Sequence, residues 1–474
     1  MTAATPYDAV AYPSATFRQT HPDRLSVIAR LHGLAAPSAA TARVLEIGGG
    51  DGFNMLALAA AWPEAQFFSF DLSGEAVARG RALIEATGLS NIRIEQADIL
   101  DVVASVKPGS YDYVVAHGVY AWVPAPVREA IMALAGHVLA PDGVFFLSYN
   151  ALPGGHIRQI MRDMLLHALQ DVIGIEDRIR AARVFLEDHK QPRPDDYDVI
   201  TAIRMQSEAM LKRPDAVLFH DELGDCFAPQ YLSDVVDAAA AHGLDYLNDS
   251  GANHLADGFA GEDESAEPDM RTLVRRAQAR DFEEMRFFRQ SLFVRAGRSP
   301  ARRPRLGAIA DMFAGGEFER SEEGGVKARG TEFVLRDKGM MERLIALGSL
   351  WPAYQPVSAI AQDEEQCEAL FRLLKIGAIF LSAQPPPFSP GVSDRPVASA
   401  LVRAQLLADT PEVTSLSFET VRIADPAARA FIPLLDGTRD VAALAPVWQD
   451  LPHDPALSVE RALEMLAGQR LMLA

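Results

Sequence analysis

Cysteine is scarce: the 474 residues hold two, Cys226 and Cys367, far apart and in no CxxC pair. Neither a disulfide framework nor a thiolate metal site is therefore expected, and the chain suits a reducing compartment. Basic residues are also short, 45 Lys plus Arg against 64 Asp plus Glu, which leaves a formal charge of −19. Such a surface repels phosphate backbones and anionic lipid, so nucleic acid is not an expected partner. Long apolar runs are missing as well. The longest near the start, MLALAAAW at 55–62, is too short to cross a bilayer, and the opening MTAATPYDAV has no basic stretch leading into an apolar one. The expectation is a cytoplasmic protein without membrane insertion.

What is present is an ordinary globular composition, 49% hydrophobic and 23% charged, in a length that suggests about three domains. From residue 43, short β-rich runs (RVLEI, QFFSFDL, IRIEQADI, YDYVVAHGV, VFFLSYN) alternate with helical ones. This is the pattern of βαβ units and a doubly wound parallel sheet. Residues 155–225 offer helices and no clear strand. The runs LDYLND and RQSLFVRAG, which flank the acidic loop 261–269, would supply two last strands. The spacing thus predicts an α/β domain from 1–154 and 226–300, a helical insertion at 155–225 and a Pro/Arg/Gly-rich linker at 301–335. Residues 336–474 repeat weakly in the order helix, helix, helix, short strand. Two degenerate winged-helix units, or a helical bundle with chance similarity, account for them.

The chemistry concentrates at strand ends. Glu46 closes the first strand, and Gly48-Gly49-Gly50-Asp51-Gly52 leads into a helix, where free backbone N–H groups and the helix dipole favour a polar or anionic ligand. A dinucleotide fingerprint needs glycine or alanine where this chain has Phe53. A GxGxG loop after an acidic strand end instead fits S-adenosylmethionine. Asp71, followed by Leu72, ends the second strand, where a carboxylate can accept ribose hydroxyls. Asp98, followed by Ile99, ends the third, within reach of an adenine amino group. Singly, each acid reads equally well as a helix N-cap.

Strand four ends in His117-Gly118-Val119-Tyr120-Ala121-Trp122 and strand five in Ser148-Tyr149-Asn150. Tyr120, Trp122, Tyr149 and Asn150 are candidates for an acceptor pocket, since aromatic faces attract cations; the competing reading is packing. His117 is a base or, more simply, a hydrogen-bonded residue beside the ligand.

In these motifs, and in YPSATFRQTHPDRL (12–25), LSYNALPGG (147–155), LFHDEL (218–223) and FRQSLF (288–293), the chain resembles bacterial class I methyltransferases with a methyltransferase regulatory domain, among them the rickettsial-type protein lysine methyltransferases. The resemblance implies a Rossmann-like catalytic domain, a middle regulatory domain at the 155–225 insertion and a C-terminal winged-helix-like domain. It also implies dimerisation, a protein lysine as acceptor, and an N-terminal segment with Tyr12, His21, Pro22 and Arg24 folded over the cofactor. The family commonly carries cysteine at position 49 and threonine at 151, where this chain has Gly49 and Ala151; neither change is expected to disturb the cofactor. Two other functions stay open: methylation of a small molecule, and a cofactor-binding interaction module.

Overall fold

The computed structural model describes residues 5–474 except 195, 252–254, 256–267, 390, 453 and 455, with backbone alone at 104 and 105. The first four residues of the opening segment and most of the acidic loop lie outside the described residues.

Seven strands make the central sheet: β1 (Arg43–Ile47), β2 (Gln66–Asp71), β3 (Ile92–Gln96), β4 (Tyr111–Ala116), β5 (Leu139–Asn150), β6 (Leu244–Asp249) and β7 (Phe288–Arg295). Their order is β3-β2-β1-β4-β5-β7-β6, with β7 running against both neighbours. Chain direction across the sheet reverses between β1 and β4, and the carboxyl ends of those strands open the crevice where such sheets take ligands. The side chains alternate strictly. Val44, Tyr113, Val115, Val144 and Phe146 pack towards α2 (Pro22–Leu31) and α3 (Phe53–Ala61). Leu45, Val114, Phe145, Leu147 and Tyr149 pack on the other face, with α6 (Ala125–Val138) and α11 (Leu232–Ala241). Apolar residues on both faces are what a sheet covered by helices requires.

A short α1 (Pro6–Ala9) precedes the sheet, while α4 (Gly74–Thr87) and α5 (Ile99–Ser105) follow β2 and β3. The insertion consists of α7 (Gly155–Ala168), α8 (Ile175–His189), α9 (Asp198–Leu211) and α10 (Asp215–Leu223), with its own core of Met161, Leu165, Leu186, Met210 and Leu218. The chain then returns through α11 and α12 (Met270–Glu284) to β6 and β7.

The linker expected at 301–335 is corrected. It carries β8 (Phe313–Gly315), β9 (Glu319–Arg320), β10 (Val326–Ala328) and β11 (Thr331–Phe333), and Ile309, Met312, Ala314 and Val326 are buried. After α13 (Lys338–Ser349), β12 (Gln355–Pro356), α14 (Glu364–Lys375) and β13 (Phe380–Ser382), it becomes clear that β8 is the central strand, paired antiparallel with β12 and β13. Strands of two or three residues are too short to show a period of two, and the pairing of β8 is set by contacts more than 40 residues along the chain.

A second unit follows: α15 (Ala400–Leu407), the hairpin β14 (Glu412–Thr414) and β15 (Thr420–Arg422), α16 (Pro426–Phe431), α17 (Val441–Gln449) and α18 (Val459–Gly468). Its bridges Val397–Asp436 and Ala398–Met472 reproduce the pairing of β8 with β12 and β13. The weak repeat of the sequence therefore extends to strand pairing.

Candidate functional site

Gly48, Gly50 and Gly52 all take positive φ, 67°, 60° and 70°, a conformation that L side chains rarely adopt. A Cβ on Gly48 would stand 2.7 Å from Val119 Cγ2, so the loop after β1 touches the loop after β4. By contrast, a Cβ on Gly50 or on Gly118 (φ 70°) would meet nothing within 4 Å. These two glycines, at the ends of adjacent strands, expose bare main chain to the crevice.

The three acids occupy different positions. Glu46 turns beneath the loop and is 4% exposed; its carboxylate accepts Asn54 Nδ2 at 2.9 Å and Ser69 Oγ at 3.2 Å. Burial pushes its pKa up to about 7 against those two hydrogen bonds. Asp71 is half-buried, accepting Gly50 N–H and Ser73 N–H, both at 2.8 Å, and so braces the loop from the neighbouring strand; burial also raises its pKa. Asp98 caps α5, accepting Leu100 N–H at 2.9 Å. Beside the last two acids stand Leu72, 43% exposed, and Leu100, 54% exposed. Ile99 is 7% exposed and packs into the core, so the apolar side chain offered to the crevice after β3 is Leu100.

His117 is neutral, held down to about pKa 4 by burial. Its Nδ1 lies 2.8 Å from Ser148 Oγ, which also accepts Gly118 N–H. Phe17 packs on this imidazole with ring centres 4.0 Å apart, and Phe288 approaches from β7 at 6.3 Å. Phe17 belongs to an N-terminal strap anchored along the crevice. Asp8 accepts Ser73 Oγ and Glu75 N–H at the start of α4, Ser14 bonds Asp51, and Phe17 N–H donates to Asn54 at 3.0 Å. The strap also ties to the insertion: Tyr7 stacks on His220 at 4.1 Å, His220 Nε2 contacts Val10 O at 2.7 Å, and Tyr12 donates to Asp221.

The four acceptor candidates do not form one pocket, which corrects the sequence expectation. Tyr149 and Asn150 are consecutive in a strand and face opposite sides of the sheet. Tyr149 is 1% exposed and Tyr120 3%, and they meet edge to face in the core behind the sheet. Trp122 lies against Phe227, with the Arg158 guanidinium 4.9 Å and that of Arg162 5.8 Å from its ring centre. Arg158 is paired with Glu222 and Asp221 of α10, so Trp122 docks the insertion. Of the four, Asn150 alone shares the sheet face of Ser148. Sequence reasoning missed Phe17, Phe288, Gly118 and Leu100. Strand parity, counted from His117 and Ser148, was the signal that pointed to this face.

Three family models match in succession: "Methyltransferase domain" at residues 44–143, "Predicted methyltransferase regulatory domain" at 214–295 and "PKMT, C-terminal winged helix domain" at 394–469. The regulatory match runs from α10 through β7, the segment that completes the sheet. This corrects the placement of the regulatory part in the 155–225 insertion, of which only the end falls inside the match. The chain is 33% identical over 247 residues to protein RP789 of Rickettsia prowazekii, covering 52% of this chain and 44% of that one. It is 31% identical over 236 residues to RP028 of the same organism, 49% of this chain and 93% of that one. The solved structure of PKMT2 from Rickettsia typhi in complex with AdoHcy superposes with a TM-score of 0.78 at 22% identity, over 98% of this chain and 100% of that one, a likeness of fold. No helix among the described residues is long and apolar enough to cross a membrane.

Proposed function

The chain belongs to one family with RP028 and itself matches methyltransferase, regulatory and winged-helix models in succession, and from that premise we propose that it methylates lysine side chains of a protein with S-adenosylmethionine as donor. The observation that carries the reading is the crevice itself. Two glycines face open space, and two exposed leucines stand beside acids at consecutive strand ends. A nucleoside fits such a cradle: Gly50 and Gly118 admit a ligand to the main chain, Asp71 has the chemistry for ribose hydroxyls and Asp98 for an adenine amino group, with Leu72 and Leu100 along the base. Glu46 supports the glycine loop from beneath.

S-adenosylmethionine supplies a methyl group already activated on a sulfonium. The chain's own task is to align and desolvate the acceptor. A free lysine has a pKa of about 10.4, and removal from water favours its neutral form. Phe17 and Phe288 offer an apolar wall for this around a neutral His117, and Asn150 lies on the same face. No strong base is needed once the amine is neutral. An acidic surface favours approach of a cationic lysine-bearing partner. The same reading places the protein in the cytoplasm, as a homodimer.

The test is to incubate the full chain with methyl-labelled S-adenosylmethionine and lysate of its own cells. Label recovered as methyl-lysine after hydrolysis of the protein fraction is expected. Label only in small molecules would overturn the lysine assignment.

A further inference from the structure

The anionic end of a ligand needs hydrogen-bond donors, and the glycines of the crevice have their N–H groups engaged already. Gly48 and Gly49 N–H both donate to Phe70 O, at 3.0 and 3.2 Å, Gly50 N–H donates to Asp71, and Gly52 N–H to Gly49 O at 2.9 Å. At the end of β4, Gly118 N–H is taken by Ser148 Oγ at 2.9 Å. The basic side chains expected over the cofactor do not fill the gap. His21 and Arg24 line a cavity between α2 and the C-terminal units instead, and Arg24 donates there to the Ser250 carbonyl.

One donor is set by a hydroxyl. Ser148 is fully buried, at 0% exposure, so its O–H proton requires an acceptor. Among the described residues Ser148 Oγ has two partners: Gly118 N–H, which can only donate, and His117 Nδ1 at 2.8 Å. The hydroxyl therefore donates to Nδ1. The imidazole is neutral, since burial holds its pKa down to about 4, and its single proton must then sit on Nε2. Nε2 has no hydrogen-bond partner among the described residues, and His117 keeps part of its surface open. Beside it, a Cβ on Gly118 would meet nothing within 4 Å, which leaves room for ligand atoms.

The sheet order says which atoms arrive there. With adenine at Asp98 after β3 and ribose at Asp71 on β2, the order β3-β2-β1-β4 carries the rest of the cofactor over the glycine loop to the end of β4, two strand spacings or about 10 Å from Asp71. That tail holds a sulfonium, an ammonium and a carboxylate, of which the carboxylate alone accepts a hydrogen bond. The amine to be methylated cannot take the N–H either, because its lone pair must stay free for the methyl group. We propose that His117 Nε2–H binds the carboxylate of the cofactor's amino-acid tail, and that Ser148 is the positioning residue that keeps the proton on Nε2. The assignment rests on the nucleoside placement proposed above. The Phe17 and Phe288 rings against the imidazole lower the local dielectric, which strengthens a hydrogen bond to a charged group.

Calorimetric titration of the full chain with S-adenosylhomocysteine and with its decarboxylated analogue, which keeps the amine, tests this without any acceptor protein. Wild type should bind the analogue at least about tenfold more weakly, as for loss of a hydrogen bond to a charged group. His117→Leu should weaken S-adenosylhomocysteine by at least about tenfold and leave the analogue within about twofold. His117→Gln, whose amide can present an N–H close to the place of Nε2, should recover part of that loss. Ser148→Ala should weaken S-adenosylhomocysteine about fivefold. Nitrogen NMR of the histidine-labelled chain, with the His117 signals identified by their loss in His117→Leu, should show the proton on Nε2 in wild type and both tautomers in Ser148→Ala. The wild-type measurements stand whether or not the variants fold. Equal wild-type affinity for the two ligands, equal losses for both in His117→Leu, or a wild-type proton on Nδ1 would each overturn the proposal. A chain that binds neither ligand would overturn the nucleoside placement along with it.

Discussion

The Glu46 carboxylate fills the space that a side chain at Gly49 would need: a Cβ there would stand 2.4 Å from Oε2, and 2.1 Å from Ser69 Oγ. The glycine and the buried acid are thus one device, in which the missing side chain lets Glu46 fold under the loop to meet Asn54. The family's cysteine at this position is not neutral in this arrangement, since it demands another place for the carboxylate. Gly49→Ala should cost about 1–3 kcal/mol, the usual range for overpacking. In a background where Glu46 and Ser69 are both alanine, the same change should cost much less. Urea unfolding of the four chains measures the difference; an equal cost in both backgrounds would remove the coupling.

The same burial makes stability depend on pH. An exposed glutamate has a pKa of about 4.3, whereas Glu46 in the fold is raised to about 7 by burial. Between those values the folded state holds a proton that the unfolded chain has released. Stability contributed by this group therefore falls as pH rises through about 4.5 to 7, and is flat above. The full effect is of the order of 3 kcal/mol. Glu46→Gln keeps an acceptor for Asn54 and cannot ionise, so unfolding compared at pH 5 and pH 8 should show wild type losing more than the variant. Parallel losses would mean that Glu46 is already charged at pH 5.

Trp122→Ala should act through the fold more than through the chemistry. The indole is clamped by Phe227 and the guanidinium groups of Arg158 and Arg162. Its removal should cost about 2–4 kcal/mol, combining lost packing with lost cation–π attraction. Proteolysis should then release the insertion more readily. A variant with wild-type protease resistance but poor turnover would return Trp122 to the acceptor site.

How much of this was legible can be argued from Tyr149 and Asn150. The alternation that revealed the strands also dictates that neighbours point to opposite faces, so a pocket using both was excluded by the very pattern that found them. The acids at strand ends were found because residue type and position coincide there. Their roles were not, because N-capping by Asp98 and bracing by Asp71 are satisfied locally, whatever the ligand. The strap escaped notice for a different reason. Its anchors, Asp8 on Ser73 and Phe17 on His117, join residues 65 and 100 apart in sequence, and no local period encodes such a pairing.

Asp71→Ala tests the cofactor half of the site. It removes the acceptor proposed for the ribose and also the brace on Gly50 N–H, so S-adenosylhomocysteine should bind about 1.5–3 kcal/mol more weakly. Asp98→Ala should cost less, since water can replace the single N–H contact it makes to the exposed first turn of α5. Calorimetry that ranks the two the other way would move the ligand towards β3.

Phe288→Ala tests the acceptor half. Its ring, 40% exposed at the start of β7, meets the imidazole of His117 edge to face. If Phe17 and Phe288 strip water from an incoming amine, removing one face leaves the amine better hydrated and more often protonated. Turnover should fall at least about tenfold, equivalent to about 1.4 kcal/mol of transition-state stabilisation, while cofactor affinity stays within a few-fold. Because the loss arises from protonation of the acceptor, it should shrink as the assay pH is raised towards the lysine pKa. A loss that is constant across pH would show that the ring positions the acceptor and does not desolvate it; undiminished turnover would place the acceptor elsewhere along the strand ends.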